Sequence, residues 1–243
     1  MKKIGFLLDT SNKVGSGHFW RCLNLACQIK KKINKAEIYF ISNNKNIFLF
    51  KILKKKNIKF LNLNKIQNLN EIKKKLLKYR IKFLITDIYN LSSEKKKILK
   101  NLLNKLIVID DFDNKFHNSD IYINNNYLLN SSIRKIKNKN KNTLLLLGQK
   151  YQILNEKINF FREKSILRNE IKKILVFFGS YDPTNETLKL MSKVSKLKNV
   201  KFYIVLSKIN KNYIKNKTLL NKIRNIKLII NPTNENFLKI VNE

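Results

Sequence analysis

Ile4-Gly5-Phe6-Leu7-Leu8-Asp9, followed by Val14-Gly15-Ser16-Gly17-His18 and then Phe19-Trp20-Arg21-Cys22-Leu23, reads as a strand, a glycine turn and a helix. The continuous apolar run suits a strand covered on both faces, as parallel sheets require. From Phe19 to Lys31 the apolar residues Phe19, Leu23, Ala26 and Cys27 return at helical spacing. Gly15 and Gly17 allow a tight turn and a close approach to a ligand. His18 falls where the helix should begin, a place that disfavours a cation and suits a proton acceptor.

Outward from this unit, the same alternation continues. Strands are expected at Glu37–Ser42, Ile58–Leu63, Phe83–Thr86 and Leu106–Ile109, with helices over Ile47–Lys56, Leu69–Tyr79 and Ser92–Leu103 between them. Short strands follow at Ile121–Asn124 and Leu144–Leu147, and the polar, basic stretch Asn130–Asn142 reads as an exposed loop. Two of the strands run into acids, at Asp87 and at Asp110-Asp111. The carboxyl edge of an open α/β sheet is where ligands bind, so these acids are site candidates. His117, among Asn114 and Asn118, reads as a surface residue.

A second unit is expected from about Glu170. It would hold strands at Ile174–Phe178, Phe202–Leu206 and Ile226–Ile230, and helices over Thr184–Leu197, Tyr213–Ile223 and Glu235–Val241, with Pro183 in the first turn of the helix it precedes. The expected division is a Rossmann-like domain over residues 1–165 and a partial nucleotide-binding domain over 170–243. The last helix has the character of one followed by a further strand.

The composition allows a core, with 43% apolar residues in 243, and the formal net charge is +36. Only six of the 52 basic residues are arginine. Readers of base edges and phosphates favour arginine's planar fork, and the lysines here recur with asparagine and isoleucine, as in Lys137-Asn138-Lys139-Asn140-Lys141-Asn142. This argues for a solvated lysine surface and against a nucleic-acid partner. Cys22 and Cys27 would point about 140° apart on one helix, so no disulfide joins them and a reducing cytoplasm is expected. The basic Met1-Lys2-Lys3 precedes an apolar run that stops at Asp9, too short for a signal peptide or a membrane span.

Several chemistries lack their signatures. The turn has no third glycine of a dinucleotide fingerprint and no Gly-Lys-Ser/Thr of a phosphate loop. No Gly-x-Ser-x-Gly, His-Glu-x-x-His or zinc spacing occurs.

Asp9 through Arg21 resembles the N-terminal motif of the UDP-2,4-diacetamido-2,4,6-trideoxy-β-L-altropyranose hydrolases of pseudaminic acid biosynthesis, relatives of spore-coat polysaccharide and MurG-like enzymes. Five further motifs follow in order: Asp87-Ile88-Tyr89, Ile109-Asp110-Asp111, Asn124-Asn125-Asn126, Gly148-x-x-Tyr151 and Gly179-Ser180-Tyr181-Asp182-Pro183-x-Asn185.

The resemblance implies an α/β, GT-B-like architecture of two Rossmann-like domains, the second incomplete. It implies hydrolysis of a UDP-sugar by water attack at the anomeric carbon, with His18 as general base and no metal or cofactor. Asp9, Asp87 and Asp111 would orient His18 or bind sugar amides. Tyr89 and Tyr151 would wall the sugar, and Gly179 and Ser180 would offer backbone to the ligand. Gly15, Gly17, Arg21, Asn126 and Asp182 complete the substrate-binding set. Asn155 stands where the family places an arginine, and the family's later Gly/Ser-rich loop has no counterpart before Glu243. A GT-B-like glycosyltransferase on another nucleotide sugar is the neighbouring enzymatic reading. An inactive remnant or a basic polyanion binder is the non-enzymatic one.

Overall fold

The computed structural model describes residues 2–10, 16–43, 47–112, 117–194, 196–197 and 199–243. The chain divides into two compact units, Met1–Leu154 and Asn155–Glu243.

In the first unit seven strands form one parallel sheet: β1 (Lys3–Leu8), β2 (Glu37–Ser42), β3 (Lys59–Asn62), β4 (Phe83–Asp87), β5 (Lys105–Ile109), β6 (Ile121–Asn124) and β7 (Leu144–Leu147). Their order is β3-β2-β1-β4-β5-β6-β7, so the winding reverses between β1 and β4. The helices are α1 (Gly17–Lys32), α2 (Ile47–Lys55), α3 (Leu69–Lys78), α4 (Ser93–Lys100) and α5 (Asn130–Lys139).

Alternation along β1 shows why the sheet takes helices on both faces. Ile4, Phe6 and Leu8 join Phe19, Leu23 and Ala26 of α1 and Leu49 and Leu53 of α2 in one buried cluster. Leu7 belongs to the opposite cluster, with Ile72 and Leu76 of α3, Leu99 of α4 and Ile136 of α5. Gly5 is needed on that second face, since a Cβ there would lie 3.0 Å from Leu84 Cδ1 and 3.1 Å from Ile81 Cγ2. Each apolar side chain withdrawn from water in these layers contributes about 1.5–3 kcal/mol. The helix starts are capped where the residues permit it: Asn68 Oδ1 accepts from Glu71 N on α3, and Ser92 Oγ from Lys95 N on α4.

Two expectations are corrected here. The stretch read as an exposed loop is largely the helix α5. Ile133, Ile136 and Asn140 return at helical spacing, and Ile136 and Asn140 are buried, which outweighs the polar composition around them. His117 is likewise not at the surface, being 1% exposed.

The second unit holds a parallel sheet of order β10-β9-β8, from β8 (Lys173–Val176), β9 (Lys201–Leu206) and β10 (Ile226–Ile230). With it go α6 (Ile158–Glu163), α7 (Glu186–Val194), α8 (Tyr213–Leu220) and α9 (Asn234–Asn242). Val176, Met191, Phe202, Ile204, Leu206 and Leu220 form its core. The unit starts ahead of residue 170 because α6 packs against α9, where Lys157 pairs with Glu235 at 2.6 Å.

Pro183 lies before α7 rather than in its first turn. Asp182 (φ +38°) and Asn185 (φ +58°) bend the chain on either side of the proline, and the helix begins only after them. Among the described residues no helix is long and apolar enough to cross a membrane.

Candidate active site at the sheet's switch point

In an open parallel sheet the crevice for a ligand lies at the carboxyl ends of the strands where the winding reverses. Here that point lies between β1 and β4, and α1 begins beside it. His18 is the second residue of α1, and Arg21 and Cys22 follow at the i+3 and i+4 positions of the same helical face. Asp87 is the last residue of β4, Tyr89 follows it, and Asp111 lies just past the end of β5.

These side chains form one connected cluster. Nδ1 of His18 lies 2.6 Å from Asp87 Oδ1. A carboxylate only accepts, so the imidazole proton sits on Nδ1 and the lone pair is left on Nε2. Arg21 grips Asp87 through Nε (2.9 Å to Oδ2) and Nη2 (2.7 Å to Oδ1). It reaches Asp111 through Nη1 (2.8 Å) and Nη2 (3.2 Å). Tyr89 Oη donates to Asp111 Oδ2 at 2.7 Å, and its ring meets that of His18 edge-on at 4.6 Å. His18 is 5% exposed and Asp87 is fully buried, so the network is shielded from competing water.

The electrostatics follow from these contacts. Burial works against the charge on Arg21, yet the hydrogen bonds and charges of the two aspartates outweigh it and hold the guanidinium more firmly protonated than usual. Burial also pushes Asp111 up, but Arg21 and Tyr89 together bring its carboxyl below the ordinary range. Burial, then the bond to Asp111, raises the Tyr89 phenol, which stays a donor. Cys22 is raised chiefly by burial and then by the charge of Asp87, so it remains a thiol, with Sγ 3.6 Å from Asp87 Oδ2. Among the described residues no group of three His, Cys, Asp or Glu side chains is placed to hold a metal ion.

The structure thus brings together His18, Arg21, Asp87, Tyr89 and Asp111, with Asn126 joined to them by its Nδ2 bond to the Asp111 carbonyl at 3.0 Å. Asp9 directly follows β1 at the same edge of the sheet, half-buried. Gly15 lies outside the described residues. Gly17 takes ordinary helical backbone and a Cβ on it would meet nothing within 4 Å, so the tight, glycine-only turn expected at this position is not found there.

Tyr151 ends a 3-10 turn, Gln149–Tyr151, after Gly148 (φ +91°), and its ring lies 5.0 Å from the Lys150 ammonium. Gly179 (φ +79°), Ser180 and Asp182 belong to the second unit. The carboxylate of Asp182 is engaged in capping α7, accepting from Glu186 N at 2.7 Å and Thr187 N at 3.1 Å.

Sequence reasoning did not single out Phe112, whose ring packs at 5.1 Å against Tyr89, or Cys22 beside Asp87. The helical spacing His18–Arg21–Cys22 is the signal that could have linked all three to one carboxylate.

No family model matches the chain. An uncharacterized protein of Methanocaldococcus jannaschii is 28% identical over 200 residues, which cover 79% of this chain and 40% of that protein. The match therefore spans two-fifths of the length of this relative. Among solved structures, the Staphylococcus aureus MnaA–UDP complex is similar with a TM-score of 0.60 at 11% identity, over 100% of this chain and 72% of the other. UDP-GlcNAc 2-epimerase from Neisseria meningitidis, bound to UDP-GlcNAc, gives 0.59 at 13% identity over 99% and 75%. MurG of Acinetobacter baumannii gives 0.58 at 11% identity over 100% and 71%. The fold is therefore the α/β, GT-B-like fold of these structures, and the His18 cluster occupies the switch point of its first Rossmann-like sheet.

Proposed function

We propose that this chain is a nucleotide-sugar hydrolase. It removes UDP from a UDP-linked 2,4-diacetamido-2,4,6-trideoxy sugar by water attack at the anomeric carbon, in pseudaminic acid-type nonulosonate biosynthesis. The observation that carries the reading is the 2.6 Å contact between His18 Nδ1 and Asp87, which leaves Nε2 as the base.

In the proposed step Nε2 takes a proton from water as the water oxygen bonds to the anomeric carbon. The bond from that carbon to the diphosphate oxygen breaks, and its electron pair leaves with UDP. The imidazolium so formed is stabilised by Asp87 and then releases its proton to solvent. UDP leaves as a charge-delocalised anion, so the leaving group needs no strong acid. Asp111 offers an acceptor for the sugar's amide N–H groups, Tyr89, its hydroxyl proton held by Asp111, walls the sugar, and Asp9 and Asn126 stand with them in the substrate-binding set. Tyr151, Gly179 and Ser180 are assigned to the ligand by the sequence resemblance.

A glycosyltransferase reading is favoured by the likeness to MurG, and the two separate in one experiment. The protein is incubated with the UDP-sugar in 18O-labelled water. Release of UDP without an added acceptor, with the label in the free sugar and none in UDP, is expected. Release only when a hydroxyl acceptor is supplied would replace hydrolysis by transfer, and label in UDP would exclude attack at the anomeric carbon.

A further inference from the structure

Directly behind Asp111 lies a second polar cluster that the proposed chemistry does not use. Lys96 of α4 and His117 are each 1% exposed, and Asp110 is fully buried. Lys96 Nζ lies 2.9 Å from His117 Nδ1, and His117 Nε2 lies 3.7 Å from Asp110 Oδ2. An ammonium has donors and no acceptor, so Nδ1 of His117 receives the bond and its ring proton sits on Nε2, facing Asp110. The imidazole therefore lies between a buried cation, to which it is hydrogen-bonded, and a buried anion 3.7 Å away.

The cluster adjoins the segment that carries Asp111. Asp110 Oδ1 accepts from Phe112 N at 3.1 Å, and Asp110 N donates to the Ile123 carbonyl at 3.1 Å. Tyr122, packed at 4.4 Å against the His117 ring, donates its Oη to the Phe112 carbonyl at 2.7 Å. His117 is itself fixed through its backbone N–H, which donates to Asn140 Oδ1 at 2.9 Å. Asp110 and Phe112 are thus held from below on either side of Asp111, while the Asp111 carboxylate points the other way, to Arg21 and Tyr89.

We propose that Lys96, His117 and Asp110 are positioning residues: a buried ionic relay that sets the chain after β5 and so aims the Asp111 carboxylate at Arg21 and Tyr89. The inference rests on the His18 cluster being the reacting site, but its geometry is testable apart from activity. Displacing a group in such a cluster by about 1 Å is enough to cost ~100-fold in rate.

The test uses the whole chain. In the wild type, nitrogen NMR of histidine should show His117 Nδ1 unprotonated and Nε2 carrying the proton; a proton on Nδ1 would overturn the relay. With the tyrosine ring carbons labelled and Tyr89 assigned through Tyr89→Phe, the Cζ resonance of Tyr89 is then compared at neutral pH in the wild type, Lys96→Met and Asp110→Asn. Each variant should move it toward the position of a phenol that donates to water, because Asp111 has swung away from the Tyr89 hydroxyl. An unmoved resonance in either folded variant would overturn the proposal, leaving the cluster a fold element only. UDP release should fall ~10- to 100-fold in kcat in these variants. If the wild type releases no UDP, the hydrolase reading fails, while the Tyr89 resonance still decides the relay.

Discussion

UDP release by His18→Ala is expected to fall roughly 100- to 10,000-fold in kcat, the range supplied by a positioned general base. KM should change little, since a proton acceptor acts mainly in the transition state. Asp87→Asn separates the base from its support. An amide nitrogen in the place of Oδ1 would face both His18 Nδ1 and Arg21 Nη2, and in the place of Oδ2 it would face Arg21 Nε alone, whereas all three now find an acceptor. If the donor faces His18, the imidazole proton must move to Nε2 and the base is lost. If it faces Arg21 alone, the bidentate grip is broken and His18 keeps its tautomer. A kcat loss comparable to that of His18→Ala is therefore expected from the first arrangement. Steady-state UDP release by the purified variants, with thermal unfolding as a check on folding, decides it. Retention of more than about a tenth of wild-type kcat by His18→Ala would remove His18 from the reaction.

The first unit was readable because parallel strands buried on both faces appear as unbroken apolar runs. Glu37–Ser42, Ile121–Asn124 and Leu144–Leu147 are found with the bounds their composition suggests. The acids that end β4 and follow β5 were legible as site candidates from the same pattern, since the chain must leave a buried strand at the ligand edge. What joins them was not. Arg21 lies 66 residues from Asp87 and 90 from Asp111, and no local spacing announces that one guanidinium will sit between both.

His117 was misread for a related reason. Its neighbours in sequence are polar, but its burial is decided by Lys96, Tyr122 and Asn140, which arrive from other elements. Asp110 and Asp111 show the same limit in miniature. Adjacent residues project to opposite sides of an extended chain, so paired acids cannot both serve one site. One faces the ligand edge and the other the buried relay, and only the fold says which.

Arg21→Ala is expected to be the most destabilising change in the cluster, at about 3–5 kcal/mol, because it leaves the buried Asp87 and the half-buried Asp111 carboxylates without their shared cation. For a unit of this size that corresponds to a loss of roughly 6–20 °C in Tm. The pH dependence separates charge from packing. In the wild type the Asp111 carboxyl is held below its usual 3.8, so its contribution is present above that pH and is lost as pH falls through the lowered value. In Arg21→Ala the cation no longer opposes desolvation and the Asp111 carboxyl is pushed up. Its cost is then present at neutral pH and is relieved as it protonates. The Tm gap between the two proteins should thus be widest near pH 7 and narrow below about pH 4. Arg21→Lys should recover part of the Tm but not the full value, since a point charge cannot match both carboxylates in the planar geometry that the guanidinium does. A gap that stays constant from pH 7 to pH 3 would mean that Arg21 contributes through its packed stem alone. In that case the alignment of Asp87 beneath His18 would have to come from the strand end rather than from the ion pair.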